Sequence, residues 1–287
     1  MQHSSTHQVD STTSLHVVSS GTPDPLKPTL IFLHFWGGSS RTYSTTISHL
    51  SPDFHCIAVD FRGWGSSTGP NVPGSYSIHQ LASDIETLIP GMDIQDFILV
   101  GHSMGGKVAQ LISGRNLVEG LKGVVLIAPA PPIPFELPSD MKEQQLTAYS
   151  SAASAEFVAR NVLSASKLSD VTISALAEDM LKGNEFAKAA WPEYAMREDI
   201  VEKANRINVP VLVIAGRKDM VEPVERVRKE VLEKIQEAKM VVIEESGHML
   251  PVEVPLLVAR NIEQFVARVV AQDWSRKEGL VSPGQNF

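Results

Sequence analysis

The chain has 287 residues, of which 43% are hydrophobic, and its 25 basic and 33 acidic side chains give a net charge of −8. This composition is typical of a globular protein, and the acidic balance argues against nucleic acids or anionic membranes as partners. The single cysteine, Cys56, excludes an intramolecular disulfide. No apolar run approaches the ~20 residues of a membrane span, and the polar N-terminus does not resemble a secretory signal, so we expect a cytoplasmic protein.

Apolar runs alternate with amphipathic stretches along most of the chain. The predicted strands cover 30–34, 55–60, 97–100, 123–128, 211–215 and 240–243. The predicted helices cover 39–50, 77–89, 107–113, 223–235 and 254–271. Apolar strands that alternate with helices predict an α/β fold, with a mostly parallel central sheet covered by helices on both faces.

Residues 131–208 break this alternation, because they show helical spacing and no convincing strand. A segment of this length far exceeds an ordinary connection, so we interpret it as a helical cap inserted into the core. An extra group of helices with a purely structural role is the alternative. The predicted core is therefore 14–130 with 209–272, and flexible tails are expected at 1–13 and 273–287.

The strongest local motif is Gly101-His-Ser103-Met-Gly105, which lies between an apolar strand and a helix start. A serine on such a tight strand-to-helix turn projects its hydroxyl away from the backbone, and the flanking glycines remove side chains that would clash. The helix also directs its N-terminal amides toward the same point. The motif predicts Ser103 as a nucleophile, with the Met104 N–H as one donor to an oxyanion.

A serine nucleophile needs a histidine base and a carboxylate that orients the base. His248 follows the last predicted strand, at the sheet edge where α/β proteins place their sites. Asp219 follows the preceding strand in the same way, and Glu222 is the alternative acid. The predicted triad is Ser103, Asp219 and His248. The alternative is that Asp219 is a solvated loop residue and His248 a structural histidine, with no catalytic role for either.

The elbow and the order Ser, Asp, His resemble the α/β-hydrolase superfamily over about residues 14–272. The Gly-His-Ser-Met-Gly-Gly-Lys sequence is similar to that of small serine esterases. A methionine directly after the serine, here Met104, also resembles cofactor-independent haloperoxidase and perhydrolase members. Residues 60–66, Asp-Phe-Arg-Gly-Trp-Gly-Ser, resemble a conserved turn of the superfamily. The resemblance implies the α/β-hydrolase fold with a helical cap, and catalysis without a cofactor or metal.

The resemblance also implies a second oxyanion donor, the backbone N–H of Trp36, in the segment His34-Phe-Trp-Gly-Gly38. Phe35 occupies a position where the superfamily usually has glycine, which often permits a positive φ. Two outcomes follow: either Phe35 adopts an ordinary backbone conformation, or the loop is shifted.

These residues predict a serine hydrolase that cleaves a carboxylic ester or a related acyl compound. Carbon–carbon bond hydrolysis, lactone opening, aminopeptidase action and perhydrolysis share the triad and stay open, and a non-catalytic ligand receptor is an alternative from another class. Haloalkane dehalogenase and epoxide hydrolase activities are disfavoured, since those relatives have aspartate in place of Ser103. An apolar or aromatic acyl substrate is expected from four residues placed near the nucleophile, Phe35, Trp191, Val221 and Met249.

An aminopeptidase would need an acidic pocket for the amine of its substrate. The predicted cap offers four acidic residues on amphipathic helices, where solvated positions are expected: Glu178, Asp179, Glu185 and Glu193. The sequence specifies no association face, so it predicts no oligomeric state.

Overall fold

A computed structural model of the chain describes residues 2–277, which form one eight-stranded sheet in the order β1-β2-β4-β3-β5-β6-β7-β8. The strands from β4 to β8 along this order are parallel, whereas β1 and β2 are antiparallel to their neighbours. The predicted mostly parallel sheet is confirmed. The strands are β1 (Gln2–Gln8), β2 (Ser14–Ser20), β3 (Thr29–Leu33), β4 (Cys56–Val59), β5 (Phe97–His102), β6 (Leu121–Ile127), β7 (Val211–Gly216) and β8 (Ala238–Ile243).

Helices cover both faces of the sheet. Successive residues of a strand point to opposite sides, so each buried strand packs against helices on both faces. In β3, Leu30 and Phe32 share an apolar cluster with α1 (Ser44–Leu50) and α11 (Pro255–Lys277), while Ile31 and Leu33 share another with α2 (Ile78–Leu88) and α3 (Met104–Arg115). No helix in residues 2–277 is long and apolar enough to cross a membrane. The helices are α1 (Ser44–Leu50), α2 (Ile78–Leu88), α3 (Met104–Arg115), α4 (Ser139–Thr147), α5 (Ala152–Val158), α6 (Asp170–Lys182), α7 (Glu185–Glu193), α8 (Val201–Ala204), α9 (Val224–Glu230), α10 (Leu250–Glu253) and α11 (Pro255–Lys277).

The N-terminus departs from the expected flexible tail at 1–13. Residues 2–8 form β1, which pairs with β2 along its whole length. The turn after β1 is held because Asp10 accepts from the buried Arg62 guanidinium at 2.9 Å, and Asp84 pairs with the same guanidinium. The sequence did not predict this strand because its side chains are polar. An edge strand with two exposed faces needs no alternation of apolar and polar residues. At the other end, α11 continues through the first residues of the predicted tail at 273–287, and residues 278–287 lie outside the described part.

The segment between β6 and β7 consists of α4 to α8 and connecting turns, and it contains no strand. Of its four acidic residues named above, three are exposed as expected, but Asp179 is buried. Its carboxylate accepts from Ser39 Oγ at 2.8 Å and from Arg41 Nη2 at 2.7 Å. The expectation of a solvated Asp179 was wrong, because its partners lie about 140 positions earlier in the chain.

Candidate active site

Ser103 stands on a strained turn at the end of β5, with φ 54° and ψ −116°. A non-glycine residue rarely adopts this conformation, which persists only where the surrounding structure enforces it. A Cβ on Gly101 would overlap the Gly105 carbonyl oxygen, and a Cβ on Gly105 would lie 2.6 Å from the His34 carbonyl oxygen. The turn is therefore pressed between β3 and α3, and only glycine fits on either side of the serine.

The backbone N–H and carbonyl of Ser103 are both hydrogen-bonded. Its N–H donates to the Ile127 carbonyl at 3.0 Å, and its own carbonyl accepts from the N–H groups of Gly106 and Ala130 at 2.9 and 3.1 Å. Met104 is the first residue of α3, so its N–H has no intrahelical acceptor. Within residues 2–277 this amide has no protein acceptor, so it is available to a ligand oxygen near Ser103.

Asp219 and His248 form a buried pair at the carboxyl ends of β7 and β8. His248 Nδ1 lies 2.8 Å from Asp219 Oδ2, and the other carboxylate oxygen accepts from the N–H groups of Val221 and Glu222 at 2.8 and 2.9 Å. Because Nδ1–H donates to the carboxylate, Nε2 is left unprotonated in the neutral ring. Burial opposes a charge on the imidazole, but the charge and hydrogen bond of Asp219 outweigh it, and the pKa of His248 is raised.

His102 joins the serine turn to the His248 loop. Its Nε2 lies 2.8 Å from the His248 carbonyl oxygen, which can only accept, so Nε2 carries the proton. The two imidazole rings lie 5.1 Å apart. Burial lowers the pKa of His102 well below its ordinary value, which keeps this linking ring neutral. The residue next to Ser103 thus holds the backbone of His248 in place.

Glu222, the alternative acid, makes no hydrogen bond to His248. Arg226 Nη1 lies 3.2 Å from Glu222 Oε2, but the angle of this contact does not make it a hydrogen bond. Burial raises the pKa of Glu222 to about 8, so this side chain is mostly neutral near pH 7. The geometry therefore favours Asp219 as the partner of the imidazole.

The loop after β3 accommodates Phe35 with an ordinary backbone conformation. Gly37 carries the positive φ, 93°, and Phe35 is not among the described residues with φ above zero. The Phe35 carbonyl accepts from His34 Nδ1 at 2.7 Å and from the Gly38 N–H at 3.0 Å. His34 Nε2 accepts from the Phe61 N–H at 3.0 Å, which fixes the tautomer that donates through Nδ1.

The Trp36 N–H belongs to the same peptide unit as the Phe35 carbonyl. In a trans peptide the two groups point in opposite directions, so the bonds that hold the carbonyl also direct the amide. Within the described part of the chain this amide has no protein acceptor. It follows β3, whereas the Met104 amide follows β5, and these two strands are neighbours in the sheet.

The four residues predicted to contact substrate have different surroundings. Phe35 is buried with its ring 5.3 Å from that of His102, and Met249 is buried with its N–H bonded to the Leu163 carbonyl at 3.1 Å. Trp191 is buried in α7, whereas Val221 is half-buried beside Asp219. Trp36, whose ring the sequence also predicts near Ser103, is half-buried as well.

The inserted segment supplies contacts that sequence reasoning missed. The Leu163 carbonyl accepts from the His248 N–H at 2.9 Å, and Tyr149 Oη donates to the Trp36 carbonyl at 2.9 Å. Leu163 and Tyr149 are separated from these partners by 85 and 113 positions along the chain, and no local motif marks them. Their identity emerges only when the fold brings the segment over the strand ends.

Comparison with known proteins places this geometry in context. The family described as alpha/beta hydrolase fold matches residues 28–255. Among solved structures, an esterase from Exiguobacterium antarcticum superposes with a TM-score of 0.83 at 20% identity, covering 92% of this chain and all of the esterase. At this identity the likeness shows the fold alone.

Two curated relatives align over most of the chain. The 3-oxoadipate enol-lactonase 2 of Acinetobacter baylyi is 27% identical over 247 residues, which are 84% of this chain and 90% of the lactonase. The bifunctional esterase/perhydrolase DCH of Acinetobacter calcoaceticus is 24% identical over 257 residues, 83% of this chain and 91% of that enzyme. Both relatives are named for reactions at acyl groups.

Proposed function

Because the chain belongs to the alpha/beta hydrolase family, we propose that it is a serine hydrolase that cleaves carboxylic esters through an acyl-enzyme on Ser103. One observation carries the proposal: a serine in a strained backbone conformation ends β5, and a hydrogen-bonded His248–Asp219 pair lies at the same sheet edge. Strain of this kind is tolerated where it exposes a reactive group. The hydrogen bond from His102 to the His248 carbonyl supports the placement of the imidazole near the serine.

The proposed reaction has two halves. His248 Nε2 takes the proton of Ser103 as its oxygen attacks the ester carbonyl, and the tetrahedral intermediate collapses when the protonated ring gives that proton to the departing alcohol. A water molecule, deprotonated by the same nitrogen, then attacks the acyl-enzyme, and the carboxylic acid leaves as Ser103 regains its proton. Asp219 orients the imidazole and stabilises its positive charge.

The N–H groups of Trp36 and Met104 are the proposed donors to the oxyanion. The loss of one such donor costs roughly 10²–10³ in kcat in well-studied cases. Neither amide has a protein acceptor within residues 2–277, which supports this role because both can donate to a substrate oxygen. The fixed Phe35 carbonyl supports it as well, because it orients the Trp36 amide before substrate arrives.

We assign residues 131–208 as a cap over the site and the remaining described residues as the core. The contacts from Leu163 to the His248 loop and from Tyr149 to the Trp36 loop support this division. The half-buried Trp36 and Val221 would give the acyl pocket apolar walls, so we propose a hydrophobic or aromatic acyl group in the substrate. p-Nitrophenyl esters of graded chain length measure this preference through kcat/KM.

Ser103→Ala tests the function. We expect it to abolish turnover of p-nitrophenyl acetate and covalent labelling by a fluorophosphonate probe. Ser113→Ala is the matched control, because Ser113 lies on α3, the helix that follows Ser103, and within residues 2–277 its hydroxyl bonds only the Ala109 carbonyl. Undiminished turnover by Ser103→Ala overturns the proposal, and tight ligand binding by a wild-type protein that resists the probe indicates a receptor instead.

Lactone opening is the second candidate, favoured by the enol-lactonase relative that aligns over 84% of this chain. A lactone is an internal ester, so the same serine, imidazole and amides serve both reactions. The ratio of kcat/KM for an enol-lactone to that for a p-nitrophenyl ester distinguishes them. A ratio well above one favours the lactone.

A further inference from the structure

The inserted segment, residues 131–208, makes three separate contacts with Trp36. Tyr149 Oη donates to its carbonyl at 2.9 Å, the two aromatic rings lie 4.2 Å apart, and the indole Nε1 donates to the Lys188 carbonyl at 3.0 Å. Tyr149 is only 3% exposed. These contacts join the backbone and the side chain of one core residue to two places in the segment.

The core holds the other end of the same residue. The Phe35 carbonyl, one peptide earlier, is fixed by His34 and by the Gly38 amide. Trp36 therefore lies between two peptide units. Core residues hold the first unit through the Phe35 carbonyl, and Tyr149 holds the second through the Trp36 carbonyl. The direction of the Trp36 N–H depends on the first unit, and its position depends on both, because the φ and ψ angles of Trp36 connect them.

Gly37 shows how closely Tyr149 packs on this backbone. A Cβ at Gly37 would lie 2.6 to 2.7 Å from atoms of the Tyr149 ring, and Gly37 has a φ of 93°. The tyrosine ring thus occupies the space that a side chain would need. Burial raises the pKa of Tyr149 above its ordinary value, so the hydroxyl keeps its proton and remains a donor.

We propose that Tyr149 is a positioning residue for the oxyanion hole, because its hydroxyl holds the peptide that follows the Trp36 N–H. The inference rests on the proposed function, because it assigns the Trp36 N–H as an oxyanion donor. Oxyanion donors act within 2.7–3.1 Å of the developing charge, and a misplacement of about 1 Å can cost 10²-fold in rate. A hydroxyl that fixes the neighbouring peptide therefore changes the rate without touching substrate.

Tyr149→Phe tests the inference, since it removes one oxygen and retains the ring. We expect kcat for p-nitrophenyl acetate to fall about tenfold or more, with KM within about twofold of wild type. Affinity for a trifluoromethyl ketone, which forms a tetrahedral adduct with the serine, should fall by a similar factor. A role in folding alone would lower Tm and leave both measurements unchanged in the folded protein.

Tyr194→Phe is the matched control. Tyr194 also belongs to the inserted segment, and its hydroxyl accepts from a core backbone amide, that of Tyr76, at 3.1 Å. It has no contact with the Trp36 loop among the described hydrogen bonds. We expect kcat within about twofold of wild type, and an equal loss in both variants overturns the inference.

Trp36→Phe separates the tyrosine hydroxyl from the indole contact. This variant loses the bond to the Lys188 carbonyl but keeps the backbone carbonyl that Tyr149 holds, so we expect a smaller loss of kcat than in Tyr149→Phe, and a loss as large as in that variant overturns the role of the hydroxyl. The two proposals fail differently. Activity in Ser103→Ala overturns the proposed function, whereas an inactive Ser103→Ala with a wild-type kcat in Tyr149→Phe overturns only the role of Tyr149.

Discussion

Opposing effects act on the imidazole of His248. Burial disfavours its charged form, whereas the Asp219 carboxylate favours it through its charge and through a 2.8 Å hydrogen bond. The carboxylate has the larger net effect, so the ring holds a proton more readily than a free histidine does. This is the balance that a general base requires, because the base must accept a proton during the reaction and release it afterwards.

The acid limb of the pH profile follows from that balance. The base is active only when neutral, and the pKa of His248 is raised above the ordinary value of 6.5. We therefore expect kcat/KM to rise with pH and to reach half of its maximum above pH 6.5. Initial rates of p-nitrophenyl acetate hydrolysis under kcat/KM conditions measure the limb. A midpoint at or below 6.5 contradicts the assignment.

Asp219→Asn separates the proposed triad acid, Asp219, from the neighbouring carboxyl of Glu222. The amide cannot stabilise the imidazolium, so we expect kcat to fall by about 10³ to 10⁴. Glu222→Gln is the matched control: this carboxyl has a pKa of about 8 and is mostly neutral at pH 7, so we expect a loss below about tenfold. Steady-state kinetics at pH 7 compare them, and the reverse order of losses would make Glu222 the acid.

At the scale of elements, the β5–α3 turn is the part of the site that sequence specifies most completely. Gly101, Ser103 and Gly105 lie within five consecutive residues, so one short motif indicates both the nucleophile and the turn that holds it. The same holds for the central strands, because fully buried parallel strands are continuous apolar runs. β1 was not predicted because it is a polar edge strand. Its pairing with β2 depends on backbone N–H and carbonyl groups, which leave no pattern in the side chains.

Gly105→Ala probes the turn. The added Cβ would overlap the carbonyl oxygens of Leu33 and His34, which belong to a buried strand end and cannot move aside. We expect a loss of about 2–3 kcal/mol in the free energy of unfolding, or roughly 4–12 °C in Tm. Gly91→Ala is the control, because no heavy atom lies within 4 Å of its added Cβ. Equal Tm values for the two variants contradict this account of the elbow.

At the scale of the whole molecule, the inserted segment is joined to the core around the proposed site. Lys107 in α3 donates to the carbonyls of Ile133 and Met196 at 3.3 and 3.2 Å, and burial lowers its pKa to about 8. Tyr149 and Asp179 contact the loop after β3 and the turn that follows it. The sequence predicts a helical segment at 131–208 but not its attachment, which depends on pairs far apart in the chain.

Asp179→Asn tests the attachment. Asp179 is 4% exposed and accepts from Ser39 Oγ and from two nitrogens of Arg41, so the substitution leaves these donors with a neutral partner. Because Arg41 is partly exposed, we expect a moderate loss of about 1–3 kcal/mol in the free energy of unfolding. Urea denaturation measures this loss, and faster proteolytic cleavage within residues 131–208 should accompany it.

Glu178→Gln supplies the matched comparison for that experiment. Glu178 contacts the same arginine at 3.2 Å, but its side chain is 60% exposed. An exposed ion pair contributes about 0–1 kcal/mol, so this variant should unfold and be cleaved nearly as the wild type does. If the two variants behave alike, the buried carboxylate does not hold the segment to the core. A selective effect of Asp179→Asn, with kcat lowered in the same variant, would instead link the attachment of the segment to the proposed active site.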